Sequence, residues 1–98
     1  MSAVAVVATL KVQDGKNAEF EAAFEKGVAG VKANEPDTPV YTLTQSQTDS
    51  QLYRVLEVYN TPEALAGHGQ SAHFKELSKT LATTLAAAPE IERLNVIW

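Results

Sequence analysis

Residues 53–74 read YRVLEVYNTPEALAGHGQSAHF, and the fold turns on how they are divided. The first part alternates. Tyr53, Val55, Glu57 and Tyr59 share one side, while Leu52, Arg54, Leu56 and Val58 share the other. Period two over eight residues is the signature of a strand. Asn60, Thr61, Pro62 and Glu63 come next. Threonine caps helices well, and proline suits the first helical position, where its missing N–H costs nothing. A short helix is therefore predicted as far as about His68, with Gly67 and Gly69 ending it. Ser71 can cap a second helical run, whose inner face is Phe74, Leu77, Ser78, Leu81 and Leu85 and which Pro89 stops.

Before this stretch, Val4, Val6, Ala8, Leu10 and Val12 alternate along a first strand. Its other face, with Ala3, Ala5, Val7 and Thr9, is also largely apolar, so both sides need cover. Asp14-Gly15 is a turn signal. Phe20, Ala23, Phe24, Gly27, Val28 and Val31 then form one stripe at helical spacing over residues 16–33. Pro36 and Pro39 stiffen a loop at 34–39. Residues 40–47 read as a strand, with Tyr41, Leu43 and Gln45 on one side, and a polar turn joins it to 52–59 as a hairpin. Residues 91–98 close the chain as a strand, with Leu94, Val96 and Trp98 on one side.

The order strand, helix, strand, strand, helix, strand is the ferredoxin-like βαββαβ pattern. It predicts an α+β fold, one domain over residues 1–98, with a four-stranded antiparallel sheet and helices on one face. The other face is too apolar for water. A second copy of the chain, packed sheet to sheet, is the economical cover, so a homodimer is expected.

Composition narrows the function. The 98 residues carry a net charge of −4, and the few Lys and Arg are scattered, which gives no electrostatic basis for nucleic-acid or anionic-membrane binding. The absence of cysteine removes disulfides, thiolate metal sites and cysteine nucleophiles. The apolar run near the N-terminus lacks a preceding basic region and is too short to span a bilayer, so a strand and not a signal peptide is expected there, and the lack of cysteine fits a cytoplasmic protein.

Both histidines lie in the opening stretch. His68 shares a helix face with Ala64 and Leu65 and so should look toward the sheet. Two readings stand side by side: a base or hydrogen-bond partner for an acidic organic substrate, or a half-buried tether between helix and sheet. His73 reads as a solvent-facing partner of Glu76. The separation of five differs from the i, i+4 spacing of helical zinc ligands, so no metal is expected. Glu57 is a carboxylate within an apolar strand and needs a partner, for which Arg93 is a candidate. It can also orient a histidine or bind a substrate hydroxyl. Tyr41, Tyr53 and Tyr59 can line an aromatic pocket and offer hydroxyls to a phenol or quinone, and all three are ordinary strand residues as well.

In combination these pieces resemble the antibiotic biosynthesis monooxygenase family. The resemblance rests on Asp14-Gly15-Lys16, on Glu35-Pro36 before Tyr41, and on Leu56-Glu57-Val58-Tyr59 followed by Thr61-Pro62-Glu63-Ala64-Leu65. It rests most on His68, four intervening residues and His73-Phe74, with Pro89-Glu90-Ile91 at the end. It implies a dimeric α/β barrel with a pocket between sheet and helices in each subunit. It implies oxidation of a small phenol, quinol or polyketide-type aromatic by molecular oxygen, without flavin, metal or haem. By analogy His68 is the expected catalytic residue and His73 the second; Glu57, Tyr59 and Tyr41, read from the strands themselves, are the expected substrate contacts. Relatives often carry Trp at the place of Tyr59. Haem-degrading relatives use residues whose places hold Ala8, His68 and Ser78 here, so haem degradation is not expected. A non-catalytic small-molecule-binding or stress-related dimer of the same fold is the alternative.

Overall fold

The computed structural model describes residues 2–98. The elements are β1 (Val4–Lys11), α1 (Asn17–Asn34), β2 (Val40–Gln45), β3 (Leu52–Tyr59), α2 (Pro62–Gln70), α3 (Ala72–Thr84) and β4 (Glu90–Asn95). The four strands form one antiparallel sheet in the order β2-β3-β1-β4. This is the ferredoxin-like α+β fold, with the second helical region divided into two helices.

The register explains where the site forms. Glu57 pairs with Tyr41 on β2 and with Val6 on β1, and Val6 pairs in turn with Arg93 on β4. Tyr41, Glu57, Val6 and Arg93 therefore make one row across the sheet, all on the helix side. The next row is Leu43, Val55, Ala8 and Ile91. On the opposite side the rows are Val40, Val58, Ala5, Leu94 and Thr42, Leu56, Val7, Glu92. No helix among the described residues covers that second face, and Val40, Leu56 and Leu94 are exposed on it.

The core lies between α1, α3 and the helix side of the sheet. Phe20, Phe24 and Val31 of α1 are buried against Leu10, Tyr41, Tyr53 and Val55, as the helical stripe predicts. The Phe20 and Tyr53 rings stand 4.6 Å apart, and Phe24 stacks on Tyr41 at 6.4 Å. Burying a side chain of this size contributes roughly 1.5–3 kcal/mol. The Tyr53 hydroxyl, at the edge of this core, donates to Glu21 and accepts from Asn17 Nδ2 at 2.8 Å.

Two glycines of α1 let α3 approach. A Cβ on Gly30 would lie 2.5 Å from the Cβ of His73, and one on Gly27 would lie 3.2 Å from Leu77 Cδ2. Their role is a close helix–helix contact rather than the contact with the sheet that helix–sheet packing alone suggests.

Three boundaries differ from the sequence reading. Helix α2 continues through Gly67 to Gln70, because nothing there opposes the helix and Pro62 and Thr61 start it firmly. The Thr61 hydroxyl accepts from the Ala64 N–H at 3.1 Å. Strand β2 ends at Gln45. Strand β4 ends at Asn95, where its β1 partner Val4 also begins, so Val96 and Trp98 lie outside the ladder. Trp98 is fully exposed in the single chain and does not plug its core.

Candidate functional site

Ser71 sets the geometry of the site. Its backbone is extended at φ −72° and ψ 152°, which breaks the helix between His68 and His73. Its hydroxyl accepts from the Phe74 N–H at 3.2 Å and donates to the His68 carbonyl at 2.7 Å. One residue thus closes α2 and opens α3. The two histidines sit on different helices, so single-helix spacing does not describe them.

Both rings converge on Glu35, just beyond the end of α1. His68 Nδ1 is 2.8 Å from Glu35 Oε2, and His73 Nε2 is 2.5 Å from the same oxygen. Thr38 Oγ1 donates to Glu35 Oε1 at 3.2 Å and holds the carboxylate in this orientation. Burial pushes the Glu35 carboxyl up. Hydrogen bonds from His68 and His73 and the charge of His68 outweigh burial, and the net shift is downward. A carboxylate accepts only, so the proton of each imidazole faces it. In the neutral ring, Nδ1 of His68 then carries the hydrogen and Nε2 holds the lone pair.

His73 is half-buried against Glu35, and its expected partner Glu76 instead pairs with Lys79 at 3.3 Å on the surface. Sequence reading missed Glu35 as a site residue. The only signal was its place in the Glu35-Pro36 pair, and its partners are 33 and 38 residues away.

On the sheet side, His68 borders a cleft of about 620 Å³ between α2, α3 and the sheet. The walls are mainly apolar, with Val6, Leu65, Phe74 and Leu77, while Glu57, Tyr41 and Arg93 supply polar groups. The His68 ring centroid lies 5.0 Å from those of Tyr41 and Phe74 and 5.7 Å from that of Tyr59. His68 is 6% exposed, yet no buried side-chain N or O among the described residues lacks a hydrogen-bond partner. Among the described residues the only hydrogen-bond partner of the ring is Glu35 at Nδ1, so Nε2 is unpaired and not fully buried, on a ring that borders the cleft. His68 also borders a smaller outer pocket of about 270 Å³, together with Glu35, Asp37, Ser71 and His73.

Glu57 faces the cleft. Its partner is the Tyr59 hydroxyl, which donates to Oε1 at 2.6 Å, and not Arg93, which lies two strands away. Burial raises the Glu57 carboxyl, the Tyr59 hydrogen bond and the His68 charge oppose this, and the net shift is upward. Burial, with the hydrogen bond to Glu57 and its charge, also holds the Tyr59 hydroxyl well above the usual phenol range. Tyr41, buried beside Glu57 and Glu35, is raised in the same way. Tyr41 borders the cleft. Tyr59 does not: it is fully buried beneath it, and its hydroxyl is committed to Glu57.

The site thus holds two acid–base groups in contrasting settings. His68 is backed by a carboxylate and opens onto an apolar cleft, and Glu57 is a carboxyl biased toward its neutral form. Such an arrangement can remove a proton from a weakly acidic organic ligand and hydrogen-bond its oxygen.

The profile of the antibiotic biosynthesis monooxygenase family matches residues 3–80. No curated protein matches the chain. Among solved structures, a candidate antibiotic biosynthesis monooxygenase from Caulobacter crescentus is 46% identical, with 99% of this chain and 92% of that one covered and a TM-score of 0.95. A conserved protein from Methanosarcina mazei is 27% identical, with 95% and 91% covered and a TM-score of 0.88. A candidate antibiotic biosynthesis monooxygenase from Nitrosomonas europaea is 20% identical, with 99% and 92% covered and a TM-score of 0.94, a likeness of fold. With four-fifths of its length matched by the family profile and a near relative at 46% identity over almost the whole chain, this protein belongs to the antibiotic biosynthesis monooxygenase family.

Proposed function

We propose that the protein is a monooxygenase of small phenolic or polyketide-type aromatics that needs no flavin, metal or haem, with His68 Nε2 as the base. The observation that carries this reading is the Glu35–His68 contact of 2.8 Å, backing a ring that opens onto the 620 Å³ cleft. His68 takes the acidic proton of the substrate, and Glu35 stabilises the resulting imidazolium. The substrate anion supplies the electrons to dioxygen. A carbon–oxygen bond forms at a ring carbon bearing hydrogen, the O–O bond then breaks, and the carbon becomes a carbonyl. The second oxygen atom leaves as water with two protons from the substrate. Glu57 and Tyr41 are substrate contacts in this reading, and Tyr59 supports Glu57 from below. The apolar walls exclude water from the anion.

Family membership supports the reaction class. The test is oxygen uptake across a panel of phenols, quinols and anthrones, with His68→Ala as control. Turnover that is lost in His68→Ala, with unchanged circular dichroism, is the expected result. Saturable binding without turnover across the panel would replace this reading with that of a binding or stress-related protein of the same fold.

We also infer a homodimer through the uncovered sheet face. Ala5, Val7, Val40, Leu56, Val58 and Leu94 form its apolar centre, while Arg54 lies toward one end and Glu90 and Glu92 are on β4. A face of that character, apolar in the middle with opposite charges at its margin, suits a second copy of itself.

A further inference from the structure

Glu35, His68 and His73 carry a further inference whose test does not depend on the oxygenase chemistry. One carboxylate oxygen and two imidazole nitrogens, from three different elements, lie within 4.8 Å of one another. We propose that these three groups bind one divalent transition-metal ion of borderline softness, with zinc as the representative case.

The donor set fits. Two imidazoles and a carboxylate, without thiolate, suit zinc, cobalt, nickel or iron(II) rather than magnesium or calcium. A metal at about 2.0–2.2 Å from each donor separates the donors by roughly 3–3.5 Å. The Glu35 separations of 2.8 and 2.5 Å need to open toward this range, and the two imidazole nitrogens, already within 4.8 Å of each other, need to come to it. Glu35 and His73 border the outer pocket of about 270 Å³, which leaves room for water or another ligand at the remaining positions.

The surroundings hold the three donors in place. Thr38 fixes Glu35 through the oxygen that does not face the imidazoles, at 3.2 Å. An outer hydrogen bond of this kind orients a ligating carboxylate. Ser71 fixes the break that turns His68 and His73 toward one point. Gly30 leaves no room for a Cβ beside His73, so α3 can bring that ring over Glu35. The i, i+5 separation, unfavourable on one helix, is suitable here because the chain changes direction between the two histidines.

The metal would bind where the proton of His68 Nδ1 now sits. The ring must then carry its hydrogen on Nε2, toward the cleft. The metal-loaded protein therefore presents a donor where the metal-free protein presents a base, and metal acts as an off-switch on the proposed proton abstraction.

The test is binding, not activity. Chelator-treated full-length protein is titrated with Zn²⁺ by calorimetry and with Co²⁺ by visible absorption. One equivalent is expected, with cobalt d–d bands, and His73→Ala and Glu35→Gln are expected to weaken affinity by more than the roughly 10–100-fold that loss of an outer partner costs. Imidazole NMR of the unmodified protein removes any dependence on how the variants fold: Zn²⁺ must shift the His68 and His73 signals together at one equivalent. No binding, binding unaltered in both variants, or a shift at only one histidine overturns the proposal. A failed oxygen-uptake screen leaves the metal result untouched, so the two ideas fail separately.

Discussion

His68 Nδ1 and Glu35 Oε2 stand 2.8 Å apart across 33 residues of chain. The contact fixes which imidazole nitrogen faces the cleft. It also gives any positive charge on the ring a neighbouring anion, in a setting where the carboxyl is held below its ordinary pKa.

Replacing Glu35 by Gln keeps its shape and removes its charge. Turnover should fall by about 10²-fold, against about 10²–10⁴-fold for His68→Ala, the range that a positioned base contributes. The pH profile of kcat/KM in Glu35→Gln should also move, because the imidazolium loses its anion. A profile identical to that of the parent would show that Glu35 only packs.

The two carboxylates of the site should shift stability with pH in opposite directions. The Glu35 pKa is depressed in the folded protein, so its contribution is present above the ordinary 4.5 and is lost as pH falls through the folded value. The Glu57 pKa is raised, so its contribution is present below 4.5 and is lost as pH rises through the folded value. Glu57→Gln should therefore stabilise the protein at neutral pH, by about 1 kcal/mol, while Tyr59 still has an oxygen to donate to. The gain should vanish below pH 4.5, as read by denaturant titration at both pH values.

Two glycine-to-alanine changes should have opposite signs. Gly67 has open space at the position of a Cβ, so Gly67→Ala should stabilise α2 by about 0.5–1 kcal/mol. Gly30→Ala puts a Cβ 2.5 Å from that of His73. The displacement of α3 outweighs the helix gain, for a net loss of about 1–2 kcal/mol. Thermal melts of both variants check this, and a stabilised Gly30→Ala would mean that α1 and α3 are not in close contact in solution.

Leu56 is 40% exposed at the middle of the uncovered sheet face. Leu56→Asp places a charge in the inferred interface and should shift the light-scattering mass from two chains to one. A parent protein of one-chain mass in dilute solution would contradict the inferred dimer directly.

The order of elements, the buried stripe of α1 and the apolar character of both sheet faces were legible in the sequence. Each follows from local periodicity: two for Tyr53 to Tyr59, and near 3.6 for Phe20, Phe24 and Val31. The end of β4 was less legible, because strand length depends on the partner strand, and β1 begins opposite Asn95.

The chain by itself also placed both histidines and Glu57 near one another, since a single strand–turn–helix stretch carries them. Only the tertiary structure paired them. Glu35 meets His68 and His73 because α1 returns its C-terminal end to the α2–α3 break, and Glu57 meets Tyr59 in place of Arg93 because Val6 of β1 lies between the two strands. Periodicity records which face a residue occupies. It carries no information about which distant residue occupies the facing position, and that pairing decides the charge and protonation of each group in the site.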